Sequence, residues 1–275
     1  MNALLLFLAS ALIWQASPIV KAKEVEALVV AVVVTAHAAD AERAVSEARR
    51  IAIEVGAGSD FVKAFGEYAA FRAGLADSYA LQFKQGSRRG CLVLVREQDV
   101  HAIRTFSPKA DFAWLVEMLI AHERHHCSQD VYLNDFDSSD LEILRAETEA
   151  DMAALGILLP PGMDAQHDAA RRAWILWRNM AAFLPGSATH WTVPGLFGDE
   201  LSEAGIDQAM KLRGRAARIL LHKDAGEPEK AWDDLRDSSM GSFLPTWPEL
   251  LTAIRHAHGD GPGAMRAALR GMILE

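Results

Sequence analysis

The chain has 275 residues, 51% of them hydrophobic and 24% charged, and 28 Lys and Arg against 37 Asp and Glu give it a formal net charge of −9. That is apolar material enough for a real core in one domain or two small ones, and it excludes a disordered or collagen-like chain. The absence of a dense Lys/Arg block excludes the electrostatic footprint a phosphate backbone demands, so nucleic acid is not an expected partner.

The first twenty residues, Met1 to Val20, carry no charged side chain and include Leu4-Leu5-Leu6-Phe7-Leu8. This reads as a signal-peptide core or a short membrane-anchoring segment, with a small-residue cleavage site at Val20-Lys21-Ala22. A second apolar run, Ala27 to Thr35, follows Lys21 and Lys23 and ends in Ala36-His37-Ala38, which by itself has the n-region, h-region and A-x-A order of a leader. Residues 1–38 are therefore read as a targeting or anchoring segment, and 39–275 as the folded domain of a protein that is exported, periplasmic or secreted, or membrane-anchored. The competing reading is a buried β-branched strand over Val25–Val34 and a core helix over Met1–Val20, which apolarity alone does not distinguish.

From Ala41 the pattern turns helical, with Ala44, Val45, Ala48, Ile51, Ala52 and Val55 on one face and Gly56 as a C-cap; a second helix follows from Asp60 to Leu75. Tyr79–Phe83, Cys91–Val95 and His101–Phe106 are short runs with β-branched or aromatic members, separated by turn residues, and predict a small antiparallel sheet. Ser107-Pro108 opens a helix through Asp111–Cys127, and Asp137-Ser138-Ser139-Asp140 opens another over Leu141–Leu159, stopped by Pro160-Pro161. Ala165–Leu184, Leu201–His222 and three shorter segments to Leu274 complete a helical carboxy-terminal half. The fold class is α+β, an α-rich domain with the sheet preceding the Asp111–Cys127 helix.

That helix carries His122-Glu123-Arg124-His125-His126, an H-E-x-x-H motif. Two imidazoles four positions apart sit one turn from each other on one face, so both can reach one Zn²⁺ at about 2.0–2.1 Å, with the intervening Glu123 placed as general base. A catalytic zinc needs a third protein ligand, and the next helix offers Glu147-Thr148-Glu149-Ala150-Asp151. Glu147 and Asp151 share a face, so Glu147 can be the ligand while Asp151 takes the free ring N–H of a histidine. Glu149 points about 200° away from Glu147 and reads as a surface charge. The bland alternatives are a solvated His/Glu/Arg helix end and an acidic surface helix.

His122-Glu123-x-x-His126 followed by Glu147-x-x-Ala150-Asp151 resembles the paired signature of the gluzincin metallopeptidases. The stretch from Ile120 to Pro160 is similar both to the ImmA/IrrE-type peptidases and to the membrane-associated Ste24-type peptidases. Arg124-His125 stands where Leu-Gly is often found in the family. The resemblance implies a zincin-like fold, Zn²⁺ held by His122, His126 and Glu147, Glu123 as general base, Asp151 behind the ligands, and hydrolysis of a peptide or protein substrate through a zinc-activated water. Ser187-Ala188-Thr189-His190 faintly resembles the Thr-His segment of Ste24-type enzymes, which makes His190 a candidate for oxyanion stabilisation. The rival functions are a non-catalytic zinc-binding sensor or interaction module and a zinc hydrolase acting on a non-peptide amide.

Other conspicuous residues have plainer readings. His125 lies partly off the ligand face, Cys127 points about 100° from His126, and the Trp174, Trp177 and Phe183 face of the Ala165–Leu184 helix reads as core. Cys91 and Cys127, the two cysteines, allow one bridge if the chain is exported.

Overall fold

Residues Cys91 to Val95 are apolar without a break, and a strand of that kind is stable only when both of its faces are covered. The computed structural model, which describes residues 27–35, 40–74, 78–133, 138–158, 164–181, 188–198, 201–221, 227–237 and 244–258, covers both. Strand β3 (Arg88–Arg96) is the middle of a three-stranded sheet, parallel to β1 (Ala27–Thr35) and antiparallel to β2 (Tyr79–Gln85). Leu92 and Leu94 face one way, onto Ala48, Ile51 and Ala52 of α1 (Asp40–Val55) and Phe65 and Ala69 of α2 (Ser59–Ala73). Cys91, Val93 and Val95 face the other way, into a larger core built by the remaining helices. The result is an α-rich domain in which a small sheet separates a pair of helices from a helical bulk.

The bulk comprises α3 (Glu97–Thr105), α4 (Phe112–His126), α5 (Asp140–Gly156), α6 (Ala165–Ala181), α7 (Val193–Leu196), α8 (Glu203–Leu221), α9 (Pro228–Arg236) and α10 (Trp247–His258), with 3₁₀ turns at Asp130–Leu133 and Ala188–His190. Trp174 and Trp232 are fully buried in it.

Two expectations are corrected. The sheet is mixed rather than antiparallel, and its third strand is β1, not His101–Phe106. The latter run belongs to α3, where Val100 and Ile103, three positions apart, bury one helical face and Glu97 and Asp99 sit in the first turn. The second apolar run, in turn, is a nine-residue strand with Ala31, Val33 and Thr35 buried and Val30, Val32 and Val34 packed against the opposite core. The folded domain therefore begins by Ala27, not at residue 39. Met1–Val20 and the two candidate cleavage motifs lie outside the described residues. No helix among the described residues is long and apolar enough to cross a membrane.

The two cysteines are bonded to each other, joining the centre of the sheet to the residue that follows α4, with Cα atoms 5.6 Å apart. The bridge and the apolar face of α4, formed by Leu115, Met118 and Leu119, fix that helix against the sheet.

Candidate metal centre

Helix α4 begins at Asp111 rather than at Ser107-Pro108. The Asp111 carboxylate accepts from the backbone N–H groups of Ala113 and Trp114, at 2.8 and 3.4 Å, satisfying donors the helix itself leaves unpaired. Helix α5 begins with a reciprocal capping box between Ser139 and Glu142. With both starts fixed, the two helices pack along Leu119, His122 and His126 on one side and the small residues Ala146 and Ala150 on the other.

At their meeting, His122 Nε2, His126 Nε2 and the Glu147 carboxylate converge, with one ligand atom from each residue within 4.8 Å of the others. The two imidazoles stand perpendicular with their Nε2 atoms 3.0 Å apart, and Glu147 lies 3.4 Å from the first and 3.5 Å from the second. All three residues are buried. Behind them Asp151 Oδ1 lies 2.9 Å from His122 Nδ1, and His126 Nδ1 meets Gln129 Oε1 at 2.7 Å, so a polar group faces the far nitrogen of each imidazole. Asp151 is itself fully buried and saturated: it accepts from Trp174 Nε1 at 3.2 Å, from Arg178 Nε at 2.7 Å and from the Thr192 hydroxyl. Arg178 also donates to Glu147 at 2.6 Å.

These neighbours shift the ionisation of the site's groups. Burial lowers the His122 pKa, but the hydrogen bond and charge of Asp151, with Glu147 adding, outweigh it and raise the value to about 9. Burial and then the charge of His122 lower His126 to about 4. For Glu147 burial works upward, yet the Arg178 charge and the contact with His122 hold the carboxyl well below the ordinary range. Asp151 is likewise held down by Arg178 and His122 against its own burial. Glu123 is the exception: burial dominates and raises it to about 7.

Glu123 is 8% exposed, and among the described residues no side chain hydrogen-bonds its carboxylate. His190, in the 3₁₀ turn before α7, is partly exposed, with Nε2 3.9 Å from Glu147 Oε1. Gly195 lets that segment approach α5, since a Cβ there would stand 2.9 Å from Thr148 Cγ2 and from Leu201 Cδ2. His122, His126, Glu147, Asp151 and His190 are thus brought together, while Glu123 is buried on α4 next to His122. Glu149 is not among them; it is exposed and accepts from Gln129 Nε2 at 3.1 Å, with His125 3.8 Å away.

Comparison with family models, curated proteins and solved structures returned no match. The chemistry of the site must be read from the site.

Sequence reasoning missed Gln129, Arg178 and Thr192. A signal existed for Arg178, a lone cation on the same face as the buried Ala170, Ala173 and Trp174. Gln129 lies beyond the helix end, and Thr192 belongs to a loop, where no periodicity points at a partner.

Proposed function

We propose that the chain is a zinc-dependent metallopeptidase of gluzincin type, with a zincin-like arrangement of sheet and helices. The observation that carries this reading is the convergence of His122, His126 and Glu147 from two helices, with the buried carboxyl of Glu123 in the same motif. Two imidazoles and one carboxylate fit a hydrolytic zinc ion, and the outer partners Asp151 and Gln129 fit the support such ligands need. When bound, the ion supplies Lewis-acid polarisation of a carbonyl and of water.

The chain's own residues do the rest. Glu123 takes a proton from the attacking water and passes it to the departing amine, and a carboxyl raised to about 7 is matched to exchanging protons near neutral pH. Asp151 fixes the orientation of the His122 ring. His190, kept neutral because burial lowers its pKa, offers an N–H to the negative charge that develops on the carbonyl oxygen. Strand β2 is an outer strand of the sheet, and its Gln82 reaches the Gln129 carbonyl at 3.3 Å, just past the metal helix. An extended substrate adding to that edge would lie beside the helix. The buried Cys91–Cys127 bridge supports an oxidising compartment, and hence export or a membrane anchor outside the cytosol.

The test is metal analysis of the purified chain together with a peptide-library digest. We expect about one zinc per chain, loss of cleavage on chelation and recovery on zinc addition. Glu123→Gln should keep the metal and lose turnover, whereas His126→Ala should lose both. Full cleavage by the chelated protein would sink the reading.

A further inference from the structure

The carboxylates of Glu147 and Asp151, one turn apart on α5, share a single cation from another helix. Arg178, itself 2% exposed, turns the Nε/Nη2 edge of its guanidinium to α5 and divides it: Nη2 donates to Glu147 Oε2 at 2.6 Å and Nε to Asp151 Oδ2 at 2.7 Å. A guanidinium edge more often grips one carboxylate with both donors. The division leaves each carboxylate one oxygen turned elsewhere. Asp151 Oδ1 lies 2.9 Å from His122 Nδ1, while Glu147 Oε1 lies 3.5 Å from His126 Nε2 and 3.9 Å from His190 Nε2. His122, Asp151, Arg178 and Glu147 thereby close a ring, since His122 Nε2 returns to Glu147 Oε2 at 3.4 Å.

We propose that Arg178 is a positioning residue that holds the Glu147 and Asp151 carboxylates at a fixed separation, Glu147 toward the ligand nitrogens and Asp151 toward His122. The proposal rests on the reading of His122, His126 and Glu147 as ligands. Two features carry it. Two buried carboxylates on adjacent turns would repel if no cation lay between them. Only a planar fork spans both at fixed separation; a lysine ammonium is a point charge on a flexible stem. Trp174, one turn earlier on α6, donates to Asp151 Oδ1 at 3.2 Å and buttresses the same carboxylate.

Arg178→Lys keeps the charge and loses the fork; Arg178→Gln loses both. In the full chain, zinc affinity is read by competition with a chromophoric chelator, and the ligand field by the visible absorption of the cobalt-substituted protein. Circular dichroism and melting in chelator report on the fold. We expect Arg178→Lys to fold and to bind zinc about 10–100-fold more weakly, with a cobalt spectrum altered in intensity because Glu147 and His122 are no longer held in one orientation. Wild-type zinc affinity and an unchanged cobalt spectrum in a folded variant would overturn the proposal. If neither variant folds, Arg178 is a folding residue and the proposal fails. If the wild-type chain takes up neither metal, the ligand reading fails and takes this proposal with it, a result distinct from wild-type binding that Arg178→Lys leaves unchanged.

Discussion

Glu123 is the residue at which stability and chemistry pull in opposite directions. Its carboxyl titrates near 4.5 in an unfolded chain and is raised to about 7 in the folded one. Between these values the unfolded state releases a proton that the folded state keeps, so stability falls as pH rises and the cost is complete above about pH 7. The shift corresponds to about 3 kcal/mol. Glu123→Gln in chelator should therefore melt higher than the parent at pH 8 and together with it at pH 4; an equal melting point at pH 8 would show that the buried charge is better solvated than its surroundings indicate. Asp151 and Glu149 make a second contrast on one helix. Asp151→Asn keeps the size of a fully buried group and removes the charge that faces His122 and Arg178, and metal affinity should drop about 10–100-fold. Glu149→Gln alters an exposed side chain that meets Gln129 at Nε2, an atom the Ala146 carbonyl also holds, and not at the Oε1 that faces His126, so its zinc affinity should remain that of the parent.

At the scale of elements, the end of α4 depends on a covalent tie. Cys127 directly follows His126, and its bridge to Cys91 closes a 36-residue loop that contains α3 and α4. Replacing both cysteines by alanine should cost about 2–4 kcal/mol in denaturant unfolding, and it should also weaken zinc binding, because it frees the last turn of the ligand helix. A destabilised protein with undiminished zinc affinity would mean that Leu115, Met118 and Leu119 hold the helix by themselves. This scale also shows which parts of the fold were legible in the sequence. His122, Glu123 and His126 could be placed without a structure because four positions make one turn, and Glu147 and Asp151 for the same reason. The pairing of Cys91 with Cys127 could be stated only as an option, since reach is set by how β3 and α4 pack. The segment after Glu97 misled because Val100 and Ile103 are β-branched, and their spacing, rather than their type, carries the helix. Ala27–Thr35 misled because a strand covered on both faces has the apolarity of a leader. Arg178 escaped because the spacing of residues along α6 does not reveal which of its faces meets α5.

For the whole molecule, the place of β1 limits what any amino-terminal processing could remove. Cleavage after Ala22 would leave the strand intact, whereas cleavage after Ala38 would strip a full edge from β3, register Ala27 with Arg88 through Thr35 with Arg96. Mass spectrometry of the protein recovered from its compartment should find an amino terminus no later than Ala27; a folded, zinc-binding chain starting at residue 39 would overturn the structural role of β1. The parallel pairing also puts a clock on synthesis. The Thr35 hydroxyl donates to the carbonyl of Val95, 60 residues further along. At about 5–20 residues per second, the ribosome takes about 3–12 s to make that stretch, and throughout it a Val-rich strand has been produced with nothing to pair with. A nascent chain in that interval cannot close its sheet. The same delay leaves Ala27–Thr35 open to self-association before folding.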